Sequence, residues 1–556
     1  MEKVWLKHYP AGVPAEIDWR HYRSIGHLFE QSAAAYASRP AYHNMGASIT
    51  FAELDNLSRC FGAWLQSLGP GKTQKGARVA IMLPNCLQYP VCAFGALRAG
   101  CAVVNVNPLY TARELEHQMK DSGAEVIVIL ENFAHVLEQV ITGTAVKHVV
   151  VAALGDLLGA RGWLVNAVVR HVKKMVPAWR LPGAIRFNDV LREAAGRPLE
   201  DSEVGYEDIA FIQYTGGTTG VAKGAMLLHR NILANLEQAA AWLRPFLDET
   251  QNQAIVTALP LYHILSLTAN CLLMMKLGGL NILITNPRDI PGLVKQIGGH
   301  RFTLITGVNT LFNALLNNAD FAKIDFSALK VSLGGGMALQ KAVADRWKRV
   351  TGCTLVEAYG LSETSPAVTI NPLDLKEFNG SIGLPVPSTE VEIRGEDGRE
   401  VGLGQAGELH VRGPQVMKGY WRRPEETAAA IDERGFFATG DVATVDDKGF
   451  IRLVDRKKDM IIVSGFNVYP AEIESVVAMH QGVLECAAIG VPDEHSGEAV
   501  KLFVVRKDHK LTEADIRKHC EDNLTGYKRP RYVQFRTELP KTNVGKILRR
   551  ALREAA

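Results

Sequence analysis

From Tyr214 to Ala225 the chain reads Tyr-Thr-Gly-Gly-Thr-Thr-Gly-Val-Ala-Lys-Gly-Ala, directly after the strand-like run 208–213. Gly216, Gly217 and Gly220 free the backbone to turn several N–H groups inward, and such a nest suits phosphate. The hydroxyls of Thr215, Thr218 and Thr219 add donors, and Lys223 adds charge. The Walker A loop needs Gly and Lys adjacent, whereas two residues separate Gly220 from Lys223, so this is a different phosphate loop. Further groups able to do chemistry stand in short turn-like motifs: His263 in LPLYHI, Glu363 in EAYGLSET, Asp441 in TGD and Lys546 in PKTNVGK.

The loop YTGGTTGVAKG resembles that of the acyl-adenylate-forming superfamily, which contains acyl-CoA ligases, adenylation domains of peptide synthetases and luciferases. Other motifs expected of that superfamily follow in order: 259–264, 333–339, 357–364, 439–441, 455–474 and 540–546. Within it, residues 433–458 resemble the signature of fatty-acyl-CoA ligases, and the chain is most similar to the bacterial enzymes for long-chain acids. The pattern departs in two places: Gly-Gly-Gly-Met replaces the usual Gly-Gly-Ala-Pro at 334–337, and Ser362 stands where Thr is commoner.

The resemblance implies a reaction with a plain chemical logic. A carboxylate is a poor electrophile, so it is first transferred to AMP, releasing pyrophosphate, and a thiol then displaces AMP. The first step builds charge around the α-phosphate, which preorganised cations and donors must meet. By resemblance, Glu363 and Thr215 hold Mg²⁺, a cation that takes hard oxygen ligands. Tyr214, Gly216, Gly217, Thr218, Thr219, Gly220 and Lys223 line ATP. Asp441 accepts from the ribose hydroxyls, as an acceptor-only carboxylate can, and Arg456 complements it. Tyr359 and Gly360 offer a face to adenine beside Gly334, Gly335 and Gly336, with Ser362 supplying a hydroxyl. Lys546 reaches the substrate carboxylate and α-phosphate, and His263 borders the acyl site. Lys458 matches the superfamily's hinge, and Gly465, Arg529 and Arg531 are candidate contacts for coenzyme A.

These residues require a framework. Phe51, Leu54, Leu57, Phe61, Trp64, Leu65 and Leu68 recur at helical spacing, and 111–123 reads as a second helix. Short β-type runs at 78–83, 101–106, 125–130 and 147–154 alternate with the helices, and a second series occupies 255–261, 280–285, 303–308 and 330–335. The fold class is therefore α/β, with doubly wound mixed sheets in a large N-terminal domain. Its parts are α/β units over about 1–240 and 250–380 and an antiparallel β unit over 381–455, a small barrel-like part or a distorted sheet. A hinge at 456–460 then leads to a mobile α+β domain over 461–556.

Composition excludes other classes. An apolar fraction of 47% with 22% charged residues is too rich for a disordered scaffold, and no repeat suggests a fibre. Eight cysteines form no CxxC pair, so neither a zinc ribbon nor a disulfide framework is supported. The N-terminal stretch lacks the apolar core of a signal peptide, and the apolar run 259–285 is broken by Asn270, Lys276 and Asn281. The expectation is a cytoplasmic protein, with a homodimer allowed.

Net charge is +3, and the last 30 residues hold nine basic side chains against two acidic. No nucleic-acid motif accompanies this charge, so the expected anion is coenzyme A, with Arg529, Arg531, Arg549 and Arg550 chosen by clustering. From Arg161 to Leu181, apolar residues at helical spacing mix with Arg170, Lys173, Lys174 and Arg180, and Pro177 ends the run. That pattern fits an amphipathic helix on anionic inner-membrane lipid, or a helix packed on its own domain. The main expectation is ATP-dependent ligation of a long-chain fatty acid to coenzyme A. Rivals are ligation of a short-chain, aryl or amino acid, transfer to a carrier protein, and a non-catalytic fatty-acid acceptor at the membrane.

Overall fold

The computed structural model describes residues 2–555 except 69–74, 216–221, 249–250, 457, 465, 494 and 543–544. Two large mixed sheets form the N-terminal body. One has nine strands, with a parallel centre running through Leu355–Gly360, Val331–Gly334, Leu304–Gly307, Ala254–Thr257 and Leu280–Leu283. The other has eight, with Ala102–Asn105, Arg78–Met82, Val126–Leu130 and His148–Ala152 parallel at its centre. A four-stranded antiparallel sheet follows, ending in Phe437–Val445 and Ile451–Arg456. The smaller C-terminal domain has a five-stranded sheet built on the long hairpin Val483–Asp493 and Gly497–Arg506.

Local signals explain the elements. Thr50 and Thr111 each form a capping box with a glutamate three residues on, starting helices Phe51–Ser67 and Ala112–Ser122. Gly123, at φ +62°, ends the second helix in the left-handed region that glycine adopts freely. Strands of the parallel centres, such as Val126–Leu130, are buried on both faces and read as continuous apolar runs rather than alternating ones.

Three expectations need correction. The sheets do not divide near residue 240: Pro40–Asn44 pairs in parallel with Leu280–Leu283 and joins the nine-stranded sheet. Gly419–Tyr420 crosses back to the edge of the eight-stranded sheet beside Lys223–Leu228. Periodicity identifies a short strand but not its sheet. The 381–455 unit is an open antiparallel sheet rather than a barrel among the described residues. The helix begun at Ala160 passes into a wider turn at Val168–Val172 and stops there, five residues before Pro177. Arg170, grouped by sequence with the outward basic face, turns inward to Glu131.

No described helix is long and apolar enough to cross a membrane. All eight cysteines are free thiols, seven of them buried.

Candidate active site

The phosphate loop joins two antiparallel strands, Ile209–Thr215 and Lys223–Leu228. The expected ATP contacts at its tip, Gly216, Gly217, Thr218, Thr219 and Gly220, lie outside the described residues, so the loop is placed here by its two flanks alone. Those flanks are paired: Thr215 faces Lys223, and the Thr215 hydroxyl donates to the Lys223 carbonyl at 3.4 Å. The Lys223 ammonium lies 5.1 Å above the Tyr420 ring. Tyr420 in turn donates to Glu363 Oε1 at 2.9 Å. The carboxyl is nearly buried, and burial holds its pKa above the ordinary value. A hard cation fits this donor set. The carboxylate meets one neutral hydroxyl and no ammonium or guanidinium within ion-pair distance among the described residues.

Tyr214 departs from expectation. Its hydroxyl donates to Asp121 Oδ2 at 2.6 Å, and Arg423 closes on the other oxygen at 2.9 Å. Neighbouring strand residues point to opposite faces, so the Tyr214 side chain leaves the strand on the face opposite to Thr215 and is tied there to Asp121.

Near Glu363 stands the pair Asp441 and Arg456. They are cross-strand partners, and Arg456 Nε lies 3.1 Å from Asp441 Oδ1. Tyr359 donates its hydroxyl to Asp441 Oδ2 at 2.6 Å. Burial and this carboxylate push the phenol well above its usual pKa, so Tyr359 remains a donor. Gly334 ends its strand, Gly335 donates its N–H to the Gly307 carbonyl, and Gly336 adopts φ +77°. A side chain at Gly360 would overlap the Pro366 carbonyl, so only glycine lets the two strands close there. Ser362 opens the one-turn helix that carries Glu363.

His263 caps the turn Ile264–Ser266, with Nδ1 accepting from the Leu265 N–H at 3.3 Å. Burial, then the nearby Lys546 ammonium, lowers its pKa to about 4. A neutral imidazole that accepts at Nδ1 carries its proton at Nε2, which leaves Nε2–H as a donor.

Lys546 belongs to the C-terminal domain yet lies in this site. Its turn is closed by Lys546 N–H to Thr542 Oγ1 at 3.1 Å. Thr310, from the N-terminal body, donates to the Gly545 carbonyl at 3.1 Å. Gly545, at φ +83°, abuts Thr310 Oγ1 and Val308 so closely that a side chain there would collide. Burial first, and Arg456 second, depress the Lys546 ammonium to about 8.

Residues 29–421 match the AMP-binding enzyme family, and residues 472–546 match its C-terminal domain. The chain belongs to the AMP-binding enzyme family. It is 60% identical over 555 residues to a long-chain-fatty-acid–CoA ligase of Yersinia pestis, covering 100% of this chain and 98% of that one. It is 38% identical to one of Bacillus subtilis, covering 100% and 98%. An anthranilate CoA ligase solved with anthranoyl-AMP superposes with TM-score 0.84 at 26% identity, over 96% of this chain and 97% of that one. A fatty acyl CoA synthetase of Mycobacterium tuberculosis gives 0.66 at 28%, over 96% and 98%.

In this AMP-binding enzyme the basic tail is not an open patch. Arg549 is mostly buried and bonds Glu474, Asp459 and Asp455, so its expected contact with coenzyme A is replaced by a structural role. Arg550 pairs with Glu554, and Arg531 with Asp493. Arg529 donates to the carbonyls of Leu524 and Glu521. Gly465, the other expected coenzyme A contact, lies outside the described residues. Lys458 is exposed, two residues beyond the strand Ile451–Arg456. Sequence reasoning missed Tyr420 and Asp121, and it also missed Glu357. That carboxyl is buried at the middle of the strand bearing Tyr359, accepts from Leu339 N–H at 3.3 Å and is pushed up to about 8 by burial.

Proposed function

We propose that this enzyme ligates a long-chain fatty acid to coenzyme A, forming acyl-AMP and pyrophosphate from ATP and then acyl-CoA and AMP. The observation that carries the reading is the convergence of Lys546 from one domain with His263, Asp441 and Arg456 from the other, pinned by the Gly545–Thr310 contact. The long-chain substrate rests on the relatives. Asp441 and Arg456 hold the ribose, with Tyr359 keeping the carboxylate in place. Glu363 and Thr215 hold Mg²⁺, which supplies positive charge to the phosphate oxygens. His263 Nε2–H orients the fatty carboxylate, and the Lys546 ammonium neutralises charge as that carboxylate attacks the α-phosphorus. Water and coenzyme A meet a site closed on that side by the Lys546 turn.

Thiol attack on the acyl-AMP carbonyl needs the space that this turn fills. The C-terminal domain accordingly rotates about Lys458, which absorbs the change in φ and ψ. Lys458→Pro locks φ and is expected to spare acyl-AMP formation while blocking thioester formation. The substrate is tested by coenzyme-A-dependent AMP release across acids from acetate to oleate, with benzoate and amino acids as controls. Preference for oleate is expected, and preference for acetate, benzoate or an amino acid defeats the reading. The proposed setting is the cytoplasmic face of the membrane, from which the acid is supplied.

A further inference from the structure

The segment that follows Gly159 is amphipathic in the opposite sense to a packed helix. Its inward side is mostly small and polar, with Val169 the one buried aliphatic side chain and Val165 partly buried beside it. The Gly162 carbonyl lies against the Gly155 backbone, leaving no room for a side chain at either glycine. Asn166 Oδ1 accepts from the Gly155 N–H at 2.7 Å. Arg170 forms two bonds of 2.8 Å to Glu131, whose side chain is 2% exposed. Its outward side is apolar: Trp163 is 78% exposed, Leu164 58%, Val172 70% and Met175 58%. A helix that rests on its own domain turns such residues inward, and a solvated one does not carry them.

Three further observations bear on what covers this face. No Asp or Glu occurs between residues 157 and 188. Arg161, His171, Lys173, Lys174 and Arg180 form no ion pair among the described residues, although Arg170 and Arg186 share Glu131. The hairpin turn at Met45 and Gly46 abuts Arg161 and adds a further exposed apolar side chain, Met45, to the same surface. A second copy related by a two-fold axis would set these cations against their own images. An anionic bilayer accepts both components, since the apolar side chains enter the acyl boundary and the cations meet the headgroups.

We propose that the surface formed by Trp163, Leu164, Val172 and Met175, ringed by Arg161, Lys173 and Lys174, docks this enzyme on anionic lipid. The purpose of docking, delivery of a water-insoluble acid, rests on the fatty-acid reading; the surface itself does not.

The test is flotation of the full-length protein with phosphatidylglycerol–phosphatidylethanolamine vesicles, without ATP, acid or coenzyme A, and with phosphatidylcholine vesicles as control. The wild type is expected to float with the anionic vesicles, less so at high salt, with Trp163 emission shifted to the blue. Lys173→Gln with Lys174→Gln is expected to weaken partition roughly 30-fold, and Trp163→Ser with Val172→Ser is expected to abolish flotation. These exposed substitutions should leave the melting temperature and the ligation of detergent-dispersed acid unchanged. Wild-type flotation by either double variant overturns the proposal, as does a wild type that ignores anionic vesicles. So does conversion of a dimer to a monomer by the variants in sedimentation, which assigns the face to a second copy. A wild type that floats with anionic vesicles but does not ligate detergent-dispersed oleate sinks the fatty-acid reading instead.

Discussion

Two stretches of this chain are basic, and they use their charge in opposite ways. The C-terminal tail turns its arginines onto carboxylates: Arg549 meets Glu474, Asp455 and Asp459, Arg553 meets Asp459, and Arg531 meets Asp493. The segment 161–180 engages only Arg170 in this way and leaves Lys173 and Lys174 facing out. Counting cations along the sequence makes the tail look like the anion site. What separates the two is the supply of acids that the fold brings near, and the partners of Arg531, Arg549 and Arg553 stand 38 to 94 residues away along the chain. A basic run therefore predicts a partner only after the fold has taken its share.

The sharpest way to break this contrast is at its extremes. Arg549→Ala leaves Glu474 and Asp455 without a cation, Asp459 keeping Arg553, and is expected to cost about 3–5 kcal/mol in denaturant unfolding of the C-terminal domain. Lys173→Ala, with nothing paired to it, should change stability by less than about 0.5 kcal/mol. Equal effects would mean that the charge clusters are not distinct in kind.

Within the tail Lys546 is the exception, a cation held in a site rather than on a carboxylate. Lys546→Ala is expected to slow acyl-AMP formation by roughly 10²–10³-fold, while supplied acyl-AMP is still converted to acyl-CoA. Separate assays of the two half-reactions check this, and equal loss in both removes Lys546 from the first step.

A smaller effect follows from its depressed pKa of about 8. The ammonium is charged below that pH and lost above it, so the kcat/KM for adenylation should fall up to tenfold per pH unit beyond about 8. Lys546→Arg should flatten that limb. Stability runs the other way. Between about 8 and the ordinary lysine value of 10.5 the unfolded chain binds the proton and the folded chain does not, so the folded state gains stability as pH rises through that window. A pH–rate profile and a pH series of unfolding midpoints read the two signs.

Much of the framework is legible in the sequence because it rests on local signals. The capping boxes at Thr50 and Thr111 and the apolar runs of the parallel strands each sit within a few residues of the structure they specify. The site is legible only as far as its motifs. Tyr420 reaches Glu363 across 57 residues and Tyr359 reaches Asp441 across 82, and nothing in either motif names the other. A two-residue strand such as Gly419–Tyr420 has no periodicity to read. The role of Tyr214 is hidden because a motif string does not show that its face of the strand differs from that of Thr215. The direction of the 160–172 helix is equally hidden, since apolar periodicity shows that a face exists but not which way it turns.

The eight thiols of the chain have a consequence for an enzyme whose co-substrate is itself a thiol. An activated acyl group transfers to any thiolate within reach. Cys86, Cys101 and Cys271 are buried and pushed up to about 12, Cys520 to about 11, and Cys92 and Cys486 are also held well above the ordinary value. Such sulfurs stay protonated and out of contact with acyl-AMP, and they offer no partner for mixed-disulfide exchange with oxidised coenzyme A. Packing thus keeps these six nucleophiles silent while the enzyme handles a borrowed one.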